Sequence, residues 1–407
     1  MLMWMVLTLA VTAAPQQAPA VPAPSEPRAQ AEQLARSGSY RAALERFQAI
    51  AAKNPDDLEA RVWIARLHSL MGNDRRAVDV YESIIATHPK HVDALVGLGD
   101  ALVRLGRLRE AADTLSQAEV MAPENATLLA TQGRLHHAMG HPTLSAGYYE
   151  RALAVDPSAV STRAEYEAVQ RERAHRVELG YIYEHFNIED MPDPQAATGA
   201  VNLRVNEQVR VAGIVQYERR FSQNEARGGG GLEWRLTPAL EVHGGALFAG
   251  DALVLPKTDG YGGIRYTRGR ATWTFDLRFA EFETVNVQIG GAGLQMALPR
   301  KTTAWVKYYR FSTDYEVGLS DIVQSWALGA AGHPGPRATV GAEFTRGPDQ
   351  LEMLTIDRTG PFEANTYSGF LEYLLTPMLS LNARYDYQDR PEDVRVHRAS
   401  VRLIHRF

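Results

Sequence analysis

The sequence predicts an α + β multidomain chain: an N-terminal all-α solenoid of helical repeats, then a C-terminal antiparallel transmembrane β-barrel of about 14 strands. Three observations predict it. Glycine and proline recur at a fixed interval of 34 positions through residues 26–157. From Val177 onward the apolar period changes from that of a helix to the alternation of a strand, in which successive side chains face opposite sides. The segment Val394–Phe407 sets Ala399, Val401, Leu403, His405 and Phe407 on one face against Arg398, Ser400, Arg402, Ile404 and Arg406 on the other. A wall with lipid outside and water inside requires that pattern.

With 407 residues, 45% hydrophobic content and a formal net charge of -5, the chain has room for more than one domain. It lacks the basic excess that nucleic-acid binding demands. There is no cysteine, which removes disulfides, thiolate metal sites and cysteine lipidation and suits an oxidising compartment. Residues 1–14, MLMWMVLTLAVTAA, have the apolar core and small-residue ending of a signal peptide and are too short to span a bilayer. Residues 15–25 form a Pro/Ala-rich linker. No other run approaches the ~18 apolar residues of a membrane helix, so any membrane anchorage falls to strands.

In residues 26–157 the spaced positions are Gly38, Gly72, Gly106 and Gly140, and Pro55, Pro89, Pro123 and Pro157. Small residues recur at Ala43, Ala77, Ala111 and Ser145, and bulky ones at Phe47, Tyr81, Leu115 and Tyr149. The glycine permits a tight turn between two helices, the small residue lets them approach, and the proline stops the second. This period and punctuation resemble the tetratricopeptide repeat, in four copies. Residues 158–176, rich in Glu, Arg and Ala, read as a polar capping and connecting helix. The resemblance implies a groove lined from the first helix of each repeat, where one row carries Glu32, Arg66, Asp100 and Arg134, with Ser69 and His137 a turn further on. Such a row can receive an extended or helical segment of a periplasmic protein partner, or form a ladder of mutually paired, solvated charges. His136, His137 and His141 lack a carboxylate or thiol at matching spacing, so no metal site is expected.

The strands of residues 177–407 are clearest at Ala271–Phe279 and Leu379–Tyr387, each the length a tilted spanning strand needs. Longer polar connections fall at Glu189–Ala196, Ser222–Ala226, Gly250–Lys257, Phe282–Thr284, Asp314–Ser320, Arg346–Pro361 and Gln388–Asp393, with short turns between them. Strict alternation of short and long connections is the expectation for an outer-membrane barrel. The opening strand VELGYIYEHF at Val177–Phe186, the Gly- and Tyr-rich meander and the terminal Arg406-Phe407 together resemble the YaiO-type outer-membrane β-barrel. That resemblance implies outer-membrane lipid as surroundings and no catalytic motif. Phe407 is the expected signal for the barrel assembly machinery.

No nucleophile elbow, metalloprotease motif or phosphate loop is present, and Gly228–Gly231 lacks the Lys and Ser or Thr that a phosphate loop requires. Neither an enzyme nor a cofactor is expected. Four glycines in a strand point instead to a bent wall or a close-packed lumen. The expected lumen carries Arg204, Arg210, Arg278 and Arg384 against Glu233, Asp276 and Glu343. The domain order resembles exopolysaccharide exporters that place a tetratricopeptide scaffold before an outer-membrane barrel. The first expectation is therefore a periplasmic scaffold joined to a barrel in export or assembly of a surface polymer. The alternative is a non-conducting anchor whose repeats bind a periplasmic protein.

Overall fold

The computed structural model describes residues 26–189, 191–299, 301–348, 355 and 363–407. The signal peptide and linker readings, and most of the Arg346–Pro361 connection, lie outside the described residues. Two compact units divide at Leu105 and Gly106.

The first unit holds α1 (Glu26–Arg36), α2 (Tyr40–Lys53), α3 (Leu58–Leu70), α4 (Asp74–Thr87) and α5 (Val92–Arg104). Phe47 stacks on Trp63 at 5.3 Å between ring centroids, over fully buried Ala43 and Ala60. Tyr81 occupies the space a side chain at Gly97 would need, since a Cβ there would lie 2.3 Å from its ring. The bulky position of the second repeat thus fills a gap left by a glycine of the next. Asp57 caps α3 by accepting the Ala60 N–H at 3.0 Å.

The second unit begins with α6 (Leu108–Met121), α7 (Ala126–Ala138), α8 (Pro142–Val155) and α9 (Val160–Arg173). Gly106 and Gly140, with φ of 75° and 82°, make left-handed turns that only glycine adopts freely. Fourteen strands follow: β1 (Arg176–Phe186), β2 (Gln195–Arg204), β3 (Val209–Arg220), β4 (Gln223–Thr237), β5 (Leu240–Ala249), β6 (Thr258–Arg268), β7 (Ala271–Glu281), β8 (Val285–Leu298), β9 (Thr302–Tyr315), β10 (Ser320–Gly335), β11 (Ala338–Arg346), β12 (Asn365–Thr376), β13 (Leu379–Asp389) and β14 (Arg395–Arg406). Each pairs antiparallel with its sequence neighbours, and β1 pairs with β14 from Arg176↔Arg406 to Phe186↔Val396, closing the barrel. Among the described residues, nine helices precede a closed fourteen-stranded antiparallel barrel, the architecture the sequence predicts.

The barrel is apolar outside and polar inside. On β7, Phe275, Leu277 and Phe279 are 55%, 58% and 54% exposed, while Asp276 and Arg278 between them make ion pairs within the wall. The same alternation holds on β14, where Val401 and Leu403 are exposed, and continues to Phe407 just after it. An aromatic row, Phe344, Tyr367, Tyr387, His397 and His185, crosses five neighbouring strands in register.

One connection corrects the sequence reading. Ser222–Ala226 is not a loop: β3 and β4 are joined by Phe221 and Ser222 alone, and Arg220 pairs with Gln223. Both turn residues have positive φ, 52° and 61°, the geometry of a two-residue hairpin whose twist matches its strands. The polar residues that looked like a loop are strand residues with partners, Asn224 accepting from the Tyr217 hydroxyl at 2.8 Å. The alternation of long and short connections is therefore broken here.

Candidate functional site in the barrel interior and at its rim

The near end of the barrel, where β1 begins and β14 finishes, is held to the helices through Glu172 of α9. Its carboxylate takes the His137 imidazole at 2.7 Å and the Arg235 guanidinium at 2.5 Å. Its backbone carbonyl accepts from Arg204 at 2.6 Å and also from Arg210. These arginines stand at the near ends of β2, β3 and β4, so three rim cations converge on the carbonyl end of α9, where a helix is electronegative. Glu207, between β2 and β3, accepts the Thr143 N–H of α8 at 3.1 Å, which places an anion at the electropositive end of that helix. Pro238 fills the space beside Gly140, 3.0 Å from where a Cβ would stand.

The hydrogen bond from His137, together with Arg235 and against the opposing effect of burial, holds the Glu172 carboxyl down to about 2 from its ordinary 4.5. A depressed carboxylate stabilises the folded state fully above its unfolded value and loses that contribution as pH falls toward the folded value. The contribution, about 3 kcal/mol from that shift, is expected intact at pH 5 and above and lost between about pH 4.5 and 2. Thermal melts of wild type and Glu172→Gln at pH 5 and 3 check this: the gap between the two proteins should be present at 5 and narrow at 3.

Inside the barrel, opposite charges form a nearly continuous belt. Glu218 pairs with Arg220 at 2.8 Å, Arg220 with Glu184, and Glu184 with Arg398 at 2.6 Å. Arg398 reaches Asp386 at 3.5 Å, and Asp386 takes Arg384 at 2.7 Å. Arg384 then meets Glu343 at 3.2 Å, and Glu343 also receives Lys307 at 3.4 Å and the Trp305 indole N–H at 2.7 Å. Across the barrel, Asp259 binds Arg227 at 2.7 Å and Arg278 at 2.6 Å. Buried charges persist only when paired and hydrogen-bonded, and here each carboxylate has its cation.

The interior holds two adjoining cavities. One of about 510 Å³ is lined by Glu343, Arg384, Arg402, Trp305 and Phe370, and one of about 590 Å³ by Asp276, Arg278, His243, Tyr261 and Tyr309. Lys307 lines both. The far mouth is narrowed by residues 250–257 between β5 and β6, which fold inward so that Leu255 is fully buried against Ala196, Ala252 and Ile182. Glu225 holds this segment: its carboxylate accepts the backbone N–H groups of Leu253 at 2.7 Å, Val254 at 3.0 Å and Leu255 at 2.8 Å.

Of the expected lumen residues, Asp276, Arg278, Glu343 and Arg384 line the cavities. Arg204 serves the rim, while Arg210 reaches the rim and also lines, with Glu233, a smaller recess of about 190 Å³, where Glu233 pairs with Arg176 at 3.4 Å. In the expected groove row, Glu32 pairs with Arg36, Asp100 with Arg104 and Arg134 with Glu165, while Arg66 lies over the Trp63 ring at 4.8 Å. The first two ion pairs stay within one helix, and the third joins α7 to α9. The Ser69 hydroxyl has no hydrogen-bond partner among the described residues. His137 is engaged by Glu172, and His136 stacks on Tyr148 at 5.1 Å. Among the described residues no group of three or more His, Asp or Glu side chains could hold a metal ion. Phe407 faces outward, and its backbone exchanges two hydrogen bonds with His175.

Sequence reasoning missed Glu172, Glu225 and Asp259. The first had a signal: cations at the near ends of three consecutive strands facing a glutamate-rich helix end.

No curated protein matches this chain. Among solved structures, a thermophilic tetratricopeptide-repeat protein of Thermus thermophilus is 26% identical over 35% of this chain and 79% of its own, with a TM-score of 0.34. MamA of Desulfovibrio magneticus RS-1 is 19% identical over 35% of this chain and 81% of its own, with a TM-score of 0.30. OccK3 (OpdO) of Pseudomonas aeruginosa is 10% identical over 57% of this chain and 95% of its own, with a TM-score of 0.34. The family model described as tetratricopeptide repeat matches residues 34–84 and 71–135, so the helices that precede the barrel carry tetratricopeptide repeats.

Proposed function

We propose that this chain is a YaiO-type outer-membrane barrel, exported by a signal peptide at residues 1–14, whose tetratricopeptide repeats stand in the periplasm as a scaffold for a protein partner. In this reading it takes part in the export or assembly of a surface polymer. The observation that carries it is the inside-out wall: an apolar outer face enclosing two adjoining polar cavities. Exposed apolar area on that scale marks a surface made for lipid. The clasp around Glu172 supports helices α6–α9 being fixed to the barrel rather than tethered loosely.

The inward fold of residues 250–257 favours a second reading, a closed anchor whose repeats recruit a partner while nothing crosses. Conductance separates the two. Purified full-length protein in planar bilayers is expected to carry a current that changes when Arg278 or Arg384 is replaced by Gln, since each neutralisation alters the charge of a cavity wall. Silent bilayers with protein that still shows a boiling-dependent gel shift would select the anchor.

A further inference from the structure

Strand β9 turns alternate side chains into the barrel, among them Trp305, Lys307 and Tyr309. Trp305 lines the first cavity, Tyr309 the second, and Lys307 stands between them. The two rings are four residues apart on one face of one strand, about 13 Å along it. Each lies opposite a glycine of the neighbouring strand, Trp305 facing Gly329 on β10 and Tyr309 facing Gly291 on β8. A Cβ at Gly329 would stand 2.3 Å from the Trp305 ring, and one at Gly291 2.7 Å from the Tyr309 ring. Both rings therefore rest against bare wall and line the cavities, with the Lys307 ammonium 6.0 Å from the Trp305 ring centroid and the Phe311 ring 6.4 Å from that of Tyr309. Trp305 is fixed further by its N–H bond to Glu343 and by Phe370, tilted against it at 6.1 Å.

A flat aromatic face beside hydrogen-bonding groups suits a ligand with an apolar face and a polar edge. Charge narrows the class. Equal numbers of cationic and carboxylate side chains line the first cavity, and the belt described above takes in eight of these ten, all but Arg402 and Glu372. In the second cavity Arg278 is held by Asp259, and His243 lies 3.4 Å from Asp276. An ionic ligand would have to break such pairs and leave a partner stranded, whereas a neutral one adds hydrogen bonds to carboxylate lone pairs and guanidinium edges already in place. Each cavity falls within the ~300–1,000 Å³ range of small-molecule sites. We propose that Trp305 and Tyr309 are stacking platforms of two adjacent subsites for neutral, hydroxylated sugar units of one oligosaccharide. This rests on the export reading and names the cargo's chemistry.

Isothermal titration of the full-length protein in detergent with glucose hexasaccharides (neutral), glucuronate oligomers (anionic) and glucosamine oligomers (cationic) tests it. The neutral oligomers are expected to saturate a site, with binding at least tenfold weaker in Trp305→Ala and Tyr309→Ala and preserved in Tyr309→Phe, which keeps the ring and loses the hydroxyl. Gly329→Ala, which keeps every recognising group but pushes the indole off the wall, should weaken binding as Trp305→Ala does. No saturable binding of the neutral oligomers, equal binding of the charged ones, or unchanged affinity in both alanine variants would overturn the proposal. Should one alanine variant lose its boiling-dependent gel shift, the other decides, with Tyr309→Phe as the ring-keeping control. Bilayer recordings on the same preparations keep the two readings apart. Current without sugar binding sinks the subsites and spares export; sugar binding in silent bilayers sinks export and spares the subsites.

Discussion

Replacing Asp259 by Ala is expected to destabilise the barrel by about 3–5 kcal/mol, the penalty for stranding buried charge. The side chain is fully buried and accepts three hydrogen bonds, from Arg227 Nη1 at 2.7 Å and from Arg278 Nε and Nη2 at 2.7 and 2.6 Å. Removing it leaves two guanidinium groups facing each other, and Arg227 is itself fully buried at its side chain. Asp259→Asn keeps the shape and some acceptor capacity, so its loss should be smaller. Asp276→Ala is the control: that carboxylate is 41% exposed and meets only His243 among the ion pairs described, and exposed pairs are worth about 0–1 kcal/mol. Urea titration of the folded band in unboiled gels gives the midpoints. A loss for Asp259→Ala no larger than that of the control would mean that water reaches the two arginines and that the pair is not sealed.

Glu225→Ala is expected to release residues 250–257 from the far mouth while the barrel stays folded. Three successive N–H groups converge on that carboxylate, and hydrogen bonds to a charged group contribute about 1.5–3 kcal/mol each. Burial of Leu255 opposes the release, but one Leu contributes only about 1.5–3 kcal/mol. Amide hydrogen exchange is the direct measurement: protection of Leu253, Val254 and Leu255 should fall by roughly 100-fold while that of β5 and β6 is unchanged. If the segment stays protected, the apolar contact with Ala196 and Ile182 is what holds it, and Leu255→Ser should open it instead.

What was legible in the sequence follows from how local the physics is. A helix pair punctuated by Gly and Pro announces itself because left-handed turns and helix stops depend on single residue types, as at Gly106 and Gly140. Strand β14 was legible because alternation needs no partner to be seen. The turn at Phe221 and Ser222 was hidden, since neither residue type advertises positive φ. The role of Glu225 was hidden for a different reason: its partners are 28 to 30 positions away in a segment that reads as loop. Arg204 and Arg210 were assigned to the lumen because inward-facing strand arginines look alike from sequence. Only the position of α9 shows that these two meet a helix carbonyl, Arg210 while still lining an interior recess.

The seam between β1 and β14 also sets a kinetic order. Every other strand pair is a hairpin of sequence neighbours, closing over a short stretch of chain. The seam joins segments such as Glu184 and Arg398 that are 214 positions apart, and bringing ends together over that length costs about 5 kcal/mol of chain entropy before any contact offsets it. Hairpins can form early and locally; ring closure must come late and slowly. Until it does, β1 and β14 each carry an unpaired edge able to recruit another chain. The vulnerable interval in this protein's folding is the one in which the wall is built but still open along that line.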